Sequence, residues 1–232
     1  IFNPPESLKE LFKQNFPSIQ IIESPDQEVS MEYDCCCYLL SLAYLLKTTP
    51  KNIPFSEGYL KADKEKAGCF KEKFFNNNDF KIGLAWKCKN KYTIDYLRSL
   101  PQLNYLSDLM KIEGVKIYSL QKGPDEDEFS KLPEGVEIVD LDKEIYNFSD
   151  TAAIIENLDL VVSIDTSVAH LSAAMGKQTL IMLQYCPDWR WMLNKTDSPW
   201  YKNVKLFRQQ KFGNWDNVIK EIPQELKSIM QL

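Results

Sequence analysis

Residues 158–164, LDLVVSI, carry apolar side chains on both faces of an extended chain, so this segment does not suit a strand with one side in water. It calls for cover above and below, which helices provide on the two faces of a parallel sheet. The pattern recurs along the chain. Short apolar runs at 81–87, 115–121, 136–141, 178–184 and 204–209 alternate with helical segments at 63–75, 104–113, 149–158 and 167–175. A further run at 19–24 precedes them. The alternation predicts an α/β fold, a Rossmann-like parallel sheet with helices on both faces.

FFNNNDF (74–80) places three asparagines between a charged helix and a buried strand, which is loop chemistry. A domain boundary is expected there. Residues 1–77 then form a partial N-terminal α/β domain, and 78–232 a Rossmann-like domain closed by a C-terminal helix that Pro223 kinks or interrupts. The opening FNPPESLKELF reads as a helix with proline in its first turn. A start at Ile1 rather than methionine suggests a fragment of a longer protein.

Composition narrows the function classes. Acidic residues outnumber basic ones 33 to 28, and no Lys/Arg stripe interleaves with aromatics, so nucleic acid is not an expected partner. Cys35, Cys36, Cys37, Cys69, Cys88 and Cys186 include no C-x-x-C pair, which argues against a zinc or dithiol site. The adjacent Cys35–Cys37 read as small hydrophobes, reduced, and hence cytoplasmic. No signal peptide opens the chain, and the apolar run CCCYLLSLAYLL is too short for a transmembrane segment.

The chain's one histidine lies in SIDTSVAHLSAAMGK (163–177), where an apolar strand gives way to a helix. Asp165 would fall at the carboxyl end of a central strand, where open α/β sheets bind ligands. Asp165 or Thr166 can cap the helix, leaving first-turn N–H groups near Ser167 free to meet an anion, aided by the helix dipole. Helical spacing puts His170 over Thr166 and Ser167. Two readings follow: an anion grip, or a well-capped helix start with a buried histidine bonded to backbone. Gly176 is expected to end the helix as its C′ residue.

DLVVSIDTSVAHLSAAMGKQTLIML, followed by PDWRWMLNKTDSPWYKNVKLFRQ and WDNVI, resembles the carboxyl-terminal half of bacterial tetratricopeptide-repeat glycosyltransferases related to the heptosyltransferase family. It is more distantly similar to O-linked N-acetylglucosamine transferases. KIGLAWK, RSLP, SLQKGP, LLSL and GYL extend the likeness upstream, so it covers most of the chain. The resemblance implies a GT-B fold, two Rossmann-like domains facing across a cleft, with the C-terminal one holding a nucleotide-diphosphate sugar. It places Asp165, Thr166, Ser167 and His170 at the donor. It also implies that a cation ahead of x-x-P contacts phosphate, and here that residue is Arg98.

Several residues are secondary. Gln121, ending a strand on the same sheet edge, is a candidate for the base or ribose, and Lys91 and Lys122 for phosphate against the alternative of solvated lysines. DEDE (125–128) reads as a solvated turn rather than a metal motif, and no cofactor or metal is expected. Trp191 is expected to pack in the core, while Arg190, Arg208 and Gln209 receive no role. The family's glycine-rich turn and carboxylate base are not visible, and Asp26, Glu28, Glu32 and Asp34 sit in no motif. The activity that the resemblance implies is inverting transfer of a sugar from a nucleotide donor to a glycan or protein, for which a helix N-terminus and Arg98 make a metal unnecessary. The alternatives are a non-catalytic nucleotide-sugar-binding or scaffold module and, weakly, a dinucleotide enzyme without G-x-G-x-x-G.

Overall fold

A computed structural model describes residues 1–23, 32–88, 95–124 and 127–231. Its centre is a six-stranded parallel sheet. The strands are β1 (Phe80–Ala85), β2 (Val115–Ser119), β3 (Ile138–Asp140), β4 (Leu160–Ile164), β5 (Thr179–Leu183) and β6 (Val204–Arg208). They lie in the order β3-β2-β1-β4-β5-β6. This is the doubly wound arrangement, in which the chain reverses its direction of travel across the sheet between β1 and β4.

The helices in chain order are α1 (Lys9–Asn15), α2 (Ser41–Leu45), α3 (Lys64–Phe74), α4 (Asp95–Arg98), α5 (Ser107–Met110), α6 (Phe148–Glu156), α7 (Ser167–Ala174) and α8 (Asp216–Met230). Every residue of β4 and β5 is buried, as their two-sided apolar pattern demands. Leu160, Val162 and Ile164 of β4 share one cluster with Val218, Ile222 and Leu226 of α8. Val161, on the opposite pleat, joins Ala152, Ile154 and Ile155 of α6 in a second cluster.

Leu11, Ala62 and Phe75 share that second core with Tyr118 and Leu120, so the packing continues across the 77/78 boundary. Lys66 of α3 draws the helices together by reaching Glu10 of α1 at 2.6 Å and Asp150 of α6 at 2.8 Å. The run at 19–23 forms only an isolated bridge, Phe2 to Ile21. The expected helix at 104–113 is a 3₁₀ turn, Leu103–Leu106, followed by the single turn of α5.

At the amino end, Pro5 precedes a 3₁₀ turn (Glu6–Leu8) that leads into α1. At the carboxyl end, α8 continues through Pro223, because the buried stripe Val218, Ile222 and Leu226 anchors turns on either side of it. Cys35–Cys37 are exposed rather than packed as small hydrophobes, and all six cysteines are free thiols. Among the described residues no helix is long and apolar enough to cross a membrane.

Candidate functional site

Where the chain reverses between β1 and β4, a crevice opens beyond their carboxyl ends. The cleft there has a volume of about 640 Å³. Arg98, Gln121, Lys122, Tyr146, Thr166 and Ser167 line it.

Gln121 is buried at the end of β2, and its Oε1 accepts from the N–H groups of Trp86 at 3.2 Å and Lys87 at 2.9 Å. Its carbonyl oxygen thus braces the loop leaving β1. Trp86 Nε1 donates to Glu128 Oε2 at 3.1 Å, and Lys87 Nζ pairs with Glu128 Oε1 at 2.6 Å. Glu128 is buried, so it does not belong to a solvated turn; Asp127 does, exposed and paired with Lys131. Lys122 bonds the Asp142 carbonyl at 2.6 Å and pairs with its carboxylate at 3.0 Å.

Arg98 ends the single turn of α4. Its Nη2 pairs with the buried Asp95 carboxylate at 2.6 Å, and its Nη1 donates to the backbone carbonyl of Asp165 at 3.0 Å. Burial opposes the Arg98 charge, but Asp95 and its other neighbours hold the guanidinium protonated. Ser99 Oγ accepts from Cys88 N at 3.0 Å and donates to Asp95 O at 3.1 Å, fixing the turn that carries Arg98. Burial pushes the Cys88 thiol above its usual range, which disfavours a nucleophilic thiolate beside the cleft.

At the carboxyl end of β4, Asp165 is buried and Thr166 is the N-cap of α7. The expected side-chain cap is not made. Thr166 Oγ1 instead lies 3.1 Å from Ser163 Oγ, whose other bond is to the Ile164 carbonyl at 2.8 Å. The first-turn N–H groups of α7 therefore open onto the cleft lip without a side-chain cap, beside exposed Ser167. Those donors, the helix dipole and the Arg98 charge form an arrangement suited to an anion with several oxygens.

His170 stands apart from this group. It does not line the cleft; its ring stacks on buried Trp191, with centroids 4.9 Å apart and planes at 22°. Its Nδ1 lies 3.1 Å from Tyr201 Oη, and its Nε2 lies 3.7 Å from Asp165 Oδ1. Burial pushes the imidazole pKa down and Arg190 does so as well, against the pull of Asp165 and Asp188. His170 is thus not a backbone-bonded core histidine; it and Arg98 meet Asp165 at different atoms, the carboxylate and the backbone carbonyl. Helical spacing alone missed Trp191 and Tyr201, the long-range partners of its ring.

The remaining candidates have structural partners. Arg190 pairs with Asp188 at 2.8 Å and lies over the exposed Trp189 ring. Arg208 Nη2 donates to the Trp191 carbonyl at 3.1 Å, and Gln209 Oε1 accepts from Tyr185 N and Gly213 N. Asp26, Glu28 and Lys91 lie outside the described residues, as do Asp125 and Glu126, while Glu32 and Asp34 are exposed. Among the described residues no group of three or more His, Cys, Asp or Glu side chains comes together to hold a metal. Sequence reasoning missed Asp95 and Tyr201. The i,i+3 spacing of Asp95 and Arg98 was a usable signal, and Tyr201 stood inside a quoted motif without a role.

The sequence model of "Glycosyltransferase family 9 (heptosyltransferase)" matches residues 104–222. Protein FlbA of Caulobacter vibrioides is 24% identical over 241 residues, covering 95% of this chain and 39% of that protein. Among solved structures, the E. coli ADP-heptose lps heptosyltransferase II aligns with a TM-score of 0.55 at 12% identity, over 74% of this chain and 53% of that one. The E. coli heptosyltransferase WaaC with ADP aligns with a TM-score of 0.50 at 16% identity, over 77% and 53%. The fold is the one these enzymes share. This chain spans about two fifths of the curated relative and about half of the solved structures.

Proposed function

The chain belongs to glycosyltransferase family 9 (heptosyltransferase), and from that premise we propose that the lip of its cleft seats the diphosphate of a nucleotide-sugar donor. The observation that carries this reading is the Arg98 bond to the Asp165 carbonyl, which brings a fixed cation to the uncapped start of α7. As the sugar departs, negative charge builds on the leaving diphosphate. Arg98 and the α7 N–H groups answer it in place, with no reorganisation and no metal. Thr166 and Ser167 border that position. Gln121 shapes the cleft floor, with the base or ribose near it. Asp165 and His170 flank the same turn.

We extend the reading to inverting transfer onto a glycan or protein acceptor by a longer cytoplasmic protein that also carries tetratricopeptide repeats. Residues 1–77 then belong to its acceptor side. No described residue is assigned as the base: Asp95, the carboxylate among the described residues lining the cleft, is engaged by Arg98. That engagement also favours a second reading, a non-catalytic nucleotide-sugar-binding module.

Calorimetric titration with ADP, UDP and GDP, with and without magnesium, tests the donor seat. Saturable, magnesium-independent binding of one of the three is expected. It should be lost in Ser167→Asp, which leaves the helix start well formed but sets a like charge against the incoming anion. Absence of binding by all three overturns the seat. Transfer assays on the full-length protein then separate enzyme from binding module.

A further inference from the structure

A strap from the N-terminal segment reaches the far side of α7. Tyr59 N and Leu60 N both donate to the Ala174 carbonyl, at 2.7 and 3.0 Å, and Lys202 N donates to Ser56 O at 2.9 Å. Glu57 pairs with Lys202. The strap lies so close to the end of α7 that a Cβ on Gly58 would meet Gly176 N at 2.9 Å, and one on Gly176 would meet the Glu57 carbonyl at 2.8 Å. Thus clamped, the strap brings the Tyr59 hydroxyl against that of Tyr201, the same hydroxyl that reaches His170 Nδ1.

The geometry points to Tyr201, braced by Tyr59, as the positioning residue that fixes the orientation and tautomer of His170, a neutral imidazole with its proton on Nε2. Three features set the tautomer. An imidazole nitrogen is a better acceptor than a phenol oxygen, so Tyr201 donates and Nδ1 accepts. The Asp165 carboxylate, on the Nε2 side, favours a proton there. Trp191, stacked on one ring face, blocks rotation.

The titratable and charged groups facing the ring are Asp165 on its own turn, Asp188 and Arg190 on the loop after β5, and Tyr201 on the segment before β6. Burial outweighs the two carboxylates, and Arg190 adds to it, so the ring stays neutral. The use of that Nε2–H, donation toward an anion at the start of α7 without a second formal charge, rests on the donor-seat reading above. The positioning itself does not.

Because the chain has one histidine, a long-range ¹H–¹⁵N correlation spectrum reports this ring alone. Wild type, Tyr201→Phe and Tyr59→Phe are compared without ligand over roughly pH 5 to 8, with thermal unfolding as the folding control. The expected wild-type spectrum is that of the Nε2–H tautomer. In Tyr201→Phe it should become a tautomer mixture with an altered titration midpoint, and in Tyr59→Phe it should move part of the way, with both variants folded.

An Nδ1–H tautomer in wild type, or an unchanged spectrum in a folded Tyr201→Phe, overturns the proposal. Titration with ADP and UDP follows. A loss of affinity of roughly three- to tenfold in Tyr201→Phe is expected for one hydrogen bond's influence. A tautomer change in a protein whose wild type binds neither nucleotide upholds the positioning and removes the donor seat.

Discussion

Arg98 Nη1 donates to the backbone carbonyl of Asp165 at 3.0 Å across 67 residues of sequence, while Nη2 of the same guanidinium holds the Asp95 carboxylate at 2.6 Å. One side chain therefore locks the loop after β1 to the end of β4, across the point where the sheet order reverses. Its charge is balanced from below by Asp95, yet it borders the cleft.

That double role sets the outcome of mutation. Arg98→Ala takes away the ion-pair partner of Asp95, a buried carboxylate 3% exposed. We expect a loss of about 2–3 kcal/mol in stability, at or below the low end for a fully buried pair because Arg98 itself is partly exposed. The double variant Asp95→Asn/Arg98→Met should recover most of that stability. It should still bind nucleoside diphosphate at least about tenfold more weakly than wild type, one charge-assisted contact being worth roughly 1.5–3 kcal/mol. Urea unfolding and calorimetry on the same samples separate the two effects, and a double variant with wild-type affinity would remove Arg98 from the donor seat.

Lys66 joins three helices through Glu10 and Asp150. Its partners are partly exposed, so Lys66→Met should cost only about 1 kcal/mol in urea unfolding. The pH dependence is more diagnostic. The Lys66 ammonium holds the Glu10 carboxyl below its usual range despite some desolvation, with further help from Asn147. A carboxyl depressed in the folded state contributes stability that is present above its unfolded value of 4.5 and lost as pH falls through the folded value. Wild type and Lys66→Met should therefore converge in stability on acidification below that point. Parallel curves down to low pH would mean that Glu10 is not coupled to Lys66.

The parts of the fold legible in the sequence were those dictated by local period. β4 and β5 are buried along their whole length, which an apolar run on both pleats announces, and Gly176 ends α7 with φ of 78°. The capping box of α6, in which Asn147 and Asp150 exchange bonds, was present in the letters but was not read from them. What sequence could not supply was long-range. His170 lies three residues from Ser167, but its orientation is set by Trp191 and Tyr201, 21 and 31 residues away in sequence. Pro223 argued for a break in α8, yet its neighbours Val218, Ile222 and Leu226 are fully buried and hold the helix together.

Gly58 adopts φ of 124° and touches the backbone of Gly176, so a methyl group meets both a strained conformation and main-chain atoms that cannot swing away. Gly58→Ala should lift the strap from the end of α7 at a cost of about 1–3 kcal/mol. Opening should be local, with faster proteolysis between residues 32 and 63 and exchange protection retained in β4 and β5. Uniform loss of protection across the sheet would show that the strap is part of the global folding unit instead.

Stability between mildly acidic and neutral pH should report His170, because it is the chain's one histidine and ordinary carboxylates titrate lower. Burial, then the Arg190 charge, push its pKa below 6.5, against Asp165 and Asp188. An imidazole held neutral in the fold binds a proton more readily once unfolded. Its contribution is therefore fully present above pH 6.5 and is lost as pH falls through the depressed folded value. Thermal unfolding of wild type should show a midpoint that declines across that window. His170→Gln, which keeps a hydrogen-bonding group near Tyr201 but does not titrate, should flatten the decline while leaving the neutral-pH midpoint within a few degrees. A decline of the same steepness in His170→Gln would assign it to other groups and leave the histidine free to charge in the folded protein.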